Sequence, residues 1–132
     1  MYFTQLKRNV NRKDFFMKLT RIFDNAEFIQ TSDGEPIRSI VTESPDAVIV
    51  MWYLMPGQQI YPHVHPSGQD TWIVLSGTGE YILDTEGKTV PISSGQIIVA
   101  HTGQIHGVIN KGDEPLQFVS VVAPQNAGFE LV

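Results

Sequence analysis

The chain has no cysteine, which removes disulfides, thiolate nucleophiles and sulfur-ligated zinc or iron–sulfur sites from consideration. Any metal must be held by nitrogen and oxygen. Basic residues are also scarce: Lys and Arg number 9 against 14 Asp and Glu, for a formal net charge of −5. Six of the nine are Lys7, Arg8, Arg12, Lys13, Lys18 and Arg21, so the remaining chain has little field with which to gather phosphate backbones or anionic lipid. Nucleic acid is not an expected partner. No apolar run approaches the ~20 residues that cross a bilayer, and no short apolar block behind a basic start resembles a secretory signal. A membrane is therefore not expected either, and the cytoplasm is the expected compartment. After residue 30 no pattern of period 3.6 extends beyond ten residues, so long helices are missing as well.

What is present fits one folded domain. At 132 residues, 42% hydrophobic and 17% charged, the chain is too short to divide into two adequate cores and too apolar to stay disordered. Residues 1–18 show no clean period and are read as a flexible, solvated extension, with residues 19–132 forming the single domain. Met17 opens the apolar pattern "MKLTRIF" and is the expected native start of translation. From Ile22 onward, short runs rich in β-branched and aromatic residues alternate with turn residues. The clearest runs are "DAVIVMWYLM" (46–55), "TWIVLS" (71–76), "EYILD" (80–84), "QIIVA" (96–100) and "LQFVSVVA" (116–123). Turn signals such as "PG", "DTEG", "SSG" and "KGDEP" recur about every 8–12 residues, which predicts an all-β sandwich or barrel of antiparallel strands. "GTGEY" at 77–81 lacks the third glycine and following helix of a phosphate loop and is read as a hairpin turn.

The chain's four histidines lie in two short stretches. In "GQQIYPHVHPSGQD" (57–70), strand geometry puts His63 and His65 on one face, their Cα atoms roughly 6.6–6.8 Å apart, close enough for two imidazoles to share an ion. "GQIIVAHTGQIH" (95–106) supplies a third imidazole, His106, at the start of another strand, and His101 in the turn before it.

The spacings resemble the two motifs of the cupin family. The first, G(x)5HxH(x)3,4E(x)6G, is met by Gly57, His63, His65, Asp70 and Gly77 with aspartate for glutamate. The second, G(x)5PxG(x)2H(x)3N, is met by Gly95, His101, Gly103, His106 and Asn110 with histidine for proline. The resemblance implies a double-stranded β-helix, a jelly-roll barrel of two antiparallel sheets, with a metal near one mouth. Carried over residue by residue, the implied ligands are His63, His65, Asp70 and His106. The motif glycines would sit at strand ends where the chain turns, and Asn110 would cap a turn.

The two departures leave alternatives open. Aspartate is one methylene shorter than glutamate, a deficit of about 1.5 Å, large against ligand tolerances of about ±0.2 Å. Either Asp70 reaches the ion, or three histidines hold it while Asp70 orients an imidazole or a water, or Gln69 takes the place. His101 is either a solvated turn residue or a general acid or base beside the pocket. Trp72, in register with Asp70 by twos, is a wall of that pocket or plain core.

Three neutral imidazoles and one carboxylate leave a divalent ion near +1, which suits a small anionic or chelating molecule. Fe, Mn, Ni and Zn are all compatible; the first three would keep positions open for substrate or O₂. The expected function is a metalloenzyme of the dioxygenase, isomerase, decarboxylase or lyase type, the alternative a non-enzymatic small-molecule or metal-binding module. Pairing of exposed edge strands makes a homodimer the expected assembly.

Overall fold

A computed structural model describes residues 20–132 and the backbone of Thr4–Gln5. The expected extension over 1–18 and the proposed start at Met17 lie outside the described residues, apart from that two-residue strand. The strands are β1 (Thr4–Gln5), β2 (Ile37–Glu43), β3 (Val48–Leu54), β4 (Gln59–Val64), β5 (Gln69–Ser76), β6 (Thr78–Ile82), β7 (Thr89–Ser93), β8 (Ile97–Ala100), β9 (His106–Ile109), β10 (Leu116–Ala123) and β11 (Glu130–Leu131). A 3-10 turn at Asn25–Phe28 is the helical element among the described residues, and none of their helices is long and apolar enough to cross a membrane. The expected all-β architecture is what forms.

Two sheets face one another. One runs β1-β2-β3-β10-β5-β8 and the other β11-β4-β9-β6-β7; the pairings are antiparallel except for β1 with β2. The alternation of each strand decides which side chains enter between them. In β10 the buried positions are Leu116, Phe118, Ser120 and Val122, one row of period two. The row of β3 is Val48, Val50, Trp52 and Leu54, and Trp72 and Val74 of β5 join it in a core closed from the other sheet by Ile60, Tyr81 and Val108. Trp72 stacks on Phe118 with ring centroids 4.3 Å apart and meets Tyr81 edge-on at 5.3 Å. In these apolar rows Ser120 is the exception, only 2% exposed, and a buried hydroxyl is costly unless it is hydrogen-bonded.

The motif glycines Gly57, Gly77, Gly95 and Gly103 all have positive φ, from +76° to +90°, as the turn reading required. Gly77 is the most constrained. At φ +84°, a Cβ there would collide with the Pro115 carbonyl and lie 2.9 Å from the Leu116 Cα. The chain at this point leaves the first sheet for the second. "GTGEY" is therefore not a hairpin, because β5 and β6 pair with different neighbours; the hairpin is the next connection, β6 to β7.

Asn110 does more than cap one turn. Fully buried, it donates through Nδ2 to the carbonyls of Leu54 and Glu114, both at 2.9 Å, and accepts from the Gly112 amide at 3.0 Å. It ties the end of β3 to the β9–β10 turn. Asn110→Ala should cost roughly 2–4 kcal/mol, since the buried Leu54 carbonyl, the Glu114 carbonyl and the Gly112 amide lose their partner together; a shift in urea midpoint at unchanged m-value would show it.

Candidate metal centre

Strict alternation cannot by itself build the histidine cluster. Ile60 and His63 are three apart on β4, so a regular strand would send them to opposite faces. Both are buried. Ile60 pairs with Val108 and His63 with His106, so Tyr61 and Pro62 on β4 stand against Gly107 alone on β9. This β-bulge turns His63 inward beside His106. His65 follows at the end of β4, and Asp70 enters from the second residue of β5, on the opposite sheet.

The four side chains are 4%, 8%, 4% and 1% exposed for His63, His65, Asp70 and His106. One ligand-type atom from each lies within 4.8 Å of all the others. The hydrogen bonds fix the tautomers. Each Nδ1 faces a backbone carbonyl: His63 that of Tyr61 at 2.8 Å, His65 that of Gly128 at 2.7 Å, His106 that of Gln104 at 3.0 Å. A carbonyl only accepts, so each Nδ1 carries a hydrogen, and Nε2 of a neutral ring presents a lone pair. The Nε2 atoms of His65 and His106 lie 3.2 and 3.1 Å from one oxygen, Oδ2 of Asp70. Its other oxygen, Oδ1, accepts from Ser120 Oγ at 2.8 Å.

Lone pairs facing a carboxylate oxygen repel unless a cation lies between them. A proton on one ring supplies one, and His65 is a ring on which it is held more tightly than on a free imidazole. Burial alone would lower that imidazole, but the bonds to Asp70 and Gly128 outweigh it and raise its pKa. Burial would likewise raise Asp70, yet the His106 and His65 rings, which donate to it and bring positive charge when protonated, hold it below the usual carboxylate range. His63 has no such partner: burial and the neighbouring His106 bring it down to about 3. A metal ion meets the same need. Ligand atoms about 2.1 Å from one ion and at right angles to each other stand about 3.0 Å apart, close to the 3.1 and 3.2 Å found here. The donor set, neutral nitrogens and one carboxylate without sulfur, fits a divalent transition metal. The residues present can therefore hold one.

The remaining expectations divide. The shorter aspartate carboxylate does reach the cluster. Gln69 does not: it is exposed and its amide donates to Thr71 Oγ1 at 3.3 Å. His101 is exposed in the turn before β9, outside the lining of the cavity. It stands where a solvated turn residue stands, and His101→Ala should leave metal content and any turnover unchanged, as metal analysis and an activity assay would show.

The cluster opens on a cavity of about 400 Å³. Val50, Trp52, Ile60, Trp72, Val122 and Phe129 give it apolar walls; Trp72 is thus both wall and core. Arg38, Gln125 and Asn126 are polar residues at its lining that the sequence reading missed. Arg38 is two residues before Ile40 on β2, which packs on the core, but the sequence reading placed no strand there.

Residues 50–122 match the cupin domain family. The chain belongs to the cupin family. This cupin is 52% identical to a conserved protein with a double-stranded β-helix domain from Klebsiella pneumoniae, whose crystal structure superimposes with a TM-score of 0.82 over 86% of this chain and 97% of that one. A predicted oxalate decarboxylase from Thermotoga maritima is 27% identical, with a TM-score of 0.55 over 58% of this cupin and 65% of the other chain. An oxalate-binding protein, also from Thermotoga maritima, is 30% identical over 69 residues, 52% of this cupin. The match spans about half the length of that curated relative, 55%.

Proposed function

We propose that this cupin holds one divalent transition metal, Fe, Mn, Ni or Zn, on His63, His65, Asp70 and His106, and acts as a metalloenzyme on a small anionic or chelating organic molecule. The observation that supports this most is the convergence of imidazole Nε2 lone pairs on one carboxylate oxygen inside a buried group, an arrangement that is repulsive without a cation. Asp70 is a direct ligand in this reading, because its Oδ2 stands from His65 and His106 at the separation of neighbouring ligands. The ion would supply Lewis acidity and, for Fe, Mn or Ni, open positions for a chelating substrate or O₂.

The protein's own residues do the rest. The carbonyls of Tyr61, Gly128 and Gln104 lock three tautomers and ring orientations. Ser120 engages Oδ1 of Asp70, so that Oδ2 is the oxygen presented to the cluster. The aromatic walls keep water from the bound molecule and raise the strength of every charge interaction inside. The reactions open to such a site are of the dioxygenase, isomerase, decarboxylase or lyase type.

A second reading, a non-enzymatic binding module, is favoured by the name of the curated relative, an oxalate-binding protein. Metal analysis of purified protein, followed by oxygen uptake and product analysis with candidate enols, keto acids and oxalate, separates the two. Turnover with bound metal supports the enzyme; saturable binding without turnover supports the module; a protein that takes up no metal overturns both.

The assembly proposed is a homodimer through the outer face of β5 and β8. Ile73, Leu75, Ile97 and Val99 are exposed there, Ile73 directly across from Ile97, and β8 ends its sheet. Such an uncovered apolar edge favours a second copy. Ile97→Glu should convert dimer to monomer in sedimentation analysis; a wild type that sediments as a monomer would contradict the assignment.

A further inference from the structure

Among the described residues the guanidinium of Arg38 has no hydrogen-bond or ion-pair partner. It belongs to the inward row of β2 that Ile40 continues, and it lines the same cavity as the His63, His65 and Asp70 side chains. Its surroundings hold two carboxylates, Glu43 and Asp70, and their charges act on it against the effect of burial. Among the described residues, however, neither forms an ion pair with it, and no hydrogen bond to its guanidinium is made. Both carboxylates have other partners: Asp70 is held by His65, His106 and Ser120, and Glu43 accepts from Gln125 Nε2 at 3.3 Å. An arginine half withdrawn from water, with five donors unspent and set in a cavity wall, is arranged to receive an anion from outside.

The rest of the wall says what kind of anion. A cavity of about 400 Å³ lies in the range that encloses ligands of drug-like size. A two-carbon dianion would leave Trp52, Phe129 and Val122 facing water. Removing those surfaces from water is favourable in proportion to the apolar area covered, so an apolar body is selected as well as a charge.

We infer that Arg38 is the specificity-determining residue of this cavity and that its ligand is a carboxylate with an apolar or aromatic body, the carboxylate paired with the guanidinium and the body lying against Trp52 and Phe129. This rests on the proposed metal-dependent function of the same cavity only for the ligand's metal-directed oxygens; the pairing with Arg38 stands without them. A guanidinium–carboxylate pair is among the stronger polar contacts, worth roughly tenfold or more in affinity when withdrawn from bulk water.

Calorimetric titration of wild type, Arg38→Gln and Arg38→Lys tests the inference with four probes. Metal-loaded protein is titrated with phenylpyruvate, oxalate and the neutral chelator acetohydroxamic acid, and metal-free protein with 3-phenylpropanoate, which has the same body and no keto group. The expected result is that phenylpyruvate binds at least tenfold tighter than oxalate. Arg38→Gln weakens both phenyl carboxylates tenfold or more, Arg38→Lys less, and acetohydroxamate binding and metal content change less than twofold. Oxalate binding as tightly as phenylpyruvate overturns the apolar body. Unchanged phenyl-carboxylate affinity in Arg38→Gln overturns the role of Arg38, as does an equal loss for acetohydroxamate, which would mark general damage to the site. If wild type takes up no metal, the metal reading fails by itself, and the 3-phenylpropanoate titration still decides for or against Arg38.

Discussion

Loading the stripped protein with a divalent transition metal should raise its melting temperature by on the order of ten to twenty degrees, and Asp70→Asn should remove most of that rise. At a free metal concentration a thousandfold above Kd, binding to the folded state alone contributes about 4 kcal/mol, and a domain of this size shifts by roughly 3–5 °C per kcal/mol. Asparagine is nearly isosteric with aspartate but brings no charge to neutralise the ion. In the metal-free protein, at a pH high enough that His65 has lost the proton Asp70 favours, the same change should be harmless or stabilising. An amide placed with its NH₂ where Oδ2 now stands would have two hydrogens for the two Nε2 lone pairs at 3.2 and 3.1 Å, while its carbonyl could still accept from Ser120. A purely structural Asp70 predicts the opposite: loss of stability in metal-free protein, with the metal effect intact. Differential scanning calorimetry of both proteins, with chelator and with metal, distinguishes these outcomes.

The pH dependence of the stripped protein follows from the same group. His63 is neutral when folded, with a pKa of about 3, whereas the unfolded chain takes up that proton near 6.5. The unfolded state therefore binds more protons between these values, and stability falls as pH falls through that window. Asp70, held below its unfolded pKa, adds stability that is present above about 4 and lost as pH drops through its folded value. His65 is raised, so its contribution is full below about 6.5 and fades as pH rises through its folded value. The stripped protein should be most stable near pH 6.5, with an acid limb of up to about 1.4 kcal/mol per pH unit per group. Metal competes with the proton that His65 holds more tightly than a free imidazole, so its affinity should rise with pH. Chemical denaturation in EDTA from pH 3 to 9 measures the first, and metal titrations at three pH values the second.

Much of this site was legible because it depends on local spacing. "HVH" at the end of a strand and "HTGQIH" before another carry their own register, and the strands of β3, β5, β6, β8 and β10 announce themselves through β-branched and aromatic runs. The weaker strands are β2, whose apolar positions are mixed with Arg38, Ser39 and Thr42, and β4, β7 and β9, which contain Pro62, Pro91 and Gly107. What could not be read depends on contacts far apart in the chain. Ser120 meets Asp70 across fifty residues and Gly128 meets His65 across sixty-three; Phe129 comes to the cavity from beyond β10. Arg38 looked like any isolated surface cation until β2 was placed beside β3. The bulge in β4 had a sequence sign, a proline inside a strand, but its partner, a glycine on β9, becomes meaningful only when the two strands are paired.

That partner carries the other large prediction: Gly107→Ala should destabilise the protein by about 2–4 kcal/mol and weaken metal binding by a hundredfold or more. Gly107 is the single residue opposite Tyr61 and Pro62 in the bulge. A Cβ on it would lie 2.5 Å from the Ile60 carbonyl oxygen and 3.1 Å from the Tyr61 carbonyl carbon. Both are backbone atoms in a paired strand, so neither yields by changing a rotamer. The clash can be relieved only by moving β4 away from β9 or by flattening the bulge. Flattening removes the extra residue, and a strand of strict period two carries Ile60 and His63 on opposite faces. Either His63 leaves the cluster or Ile60 leaves the core, and the protein cannot keep both. Loss of one imidazole from a four-residue set accounts for the fall in affinity, and the disturbed core and ladder for the fall in stability. Gly34→Ala is the matched control, since nothing lies within 4 Å of a Cβ at that position, and it should change stability by no more than about 0.5 kcal/mol. Urea denaturation and metal titration of both variants give the comparison. A Gly107→Ala protein that binds metal like wild type would show that the bulge does not aim His63.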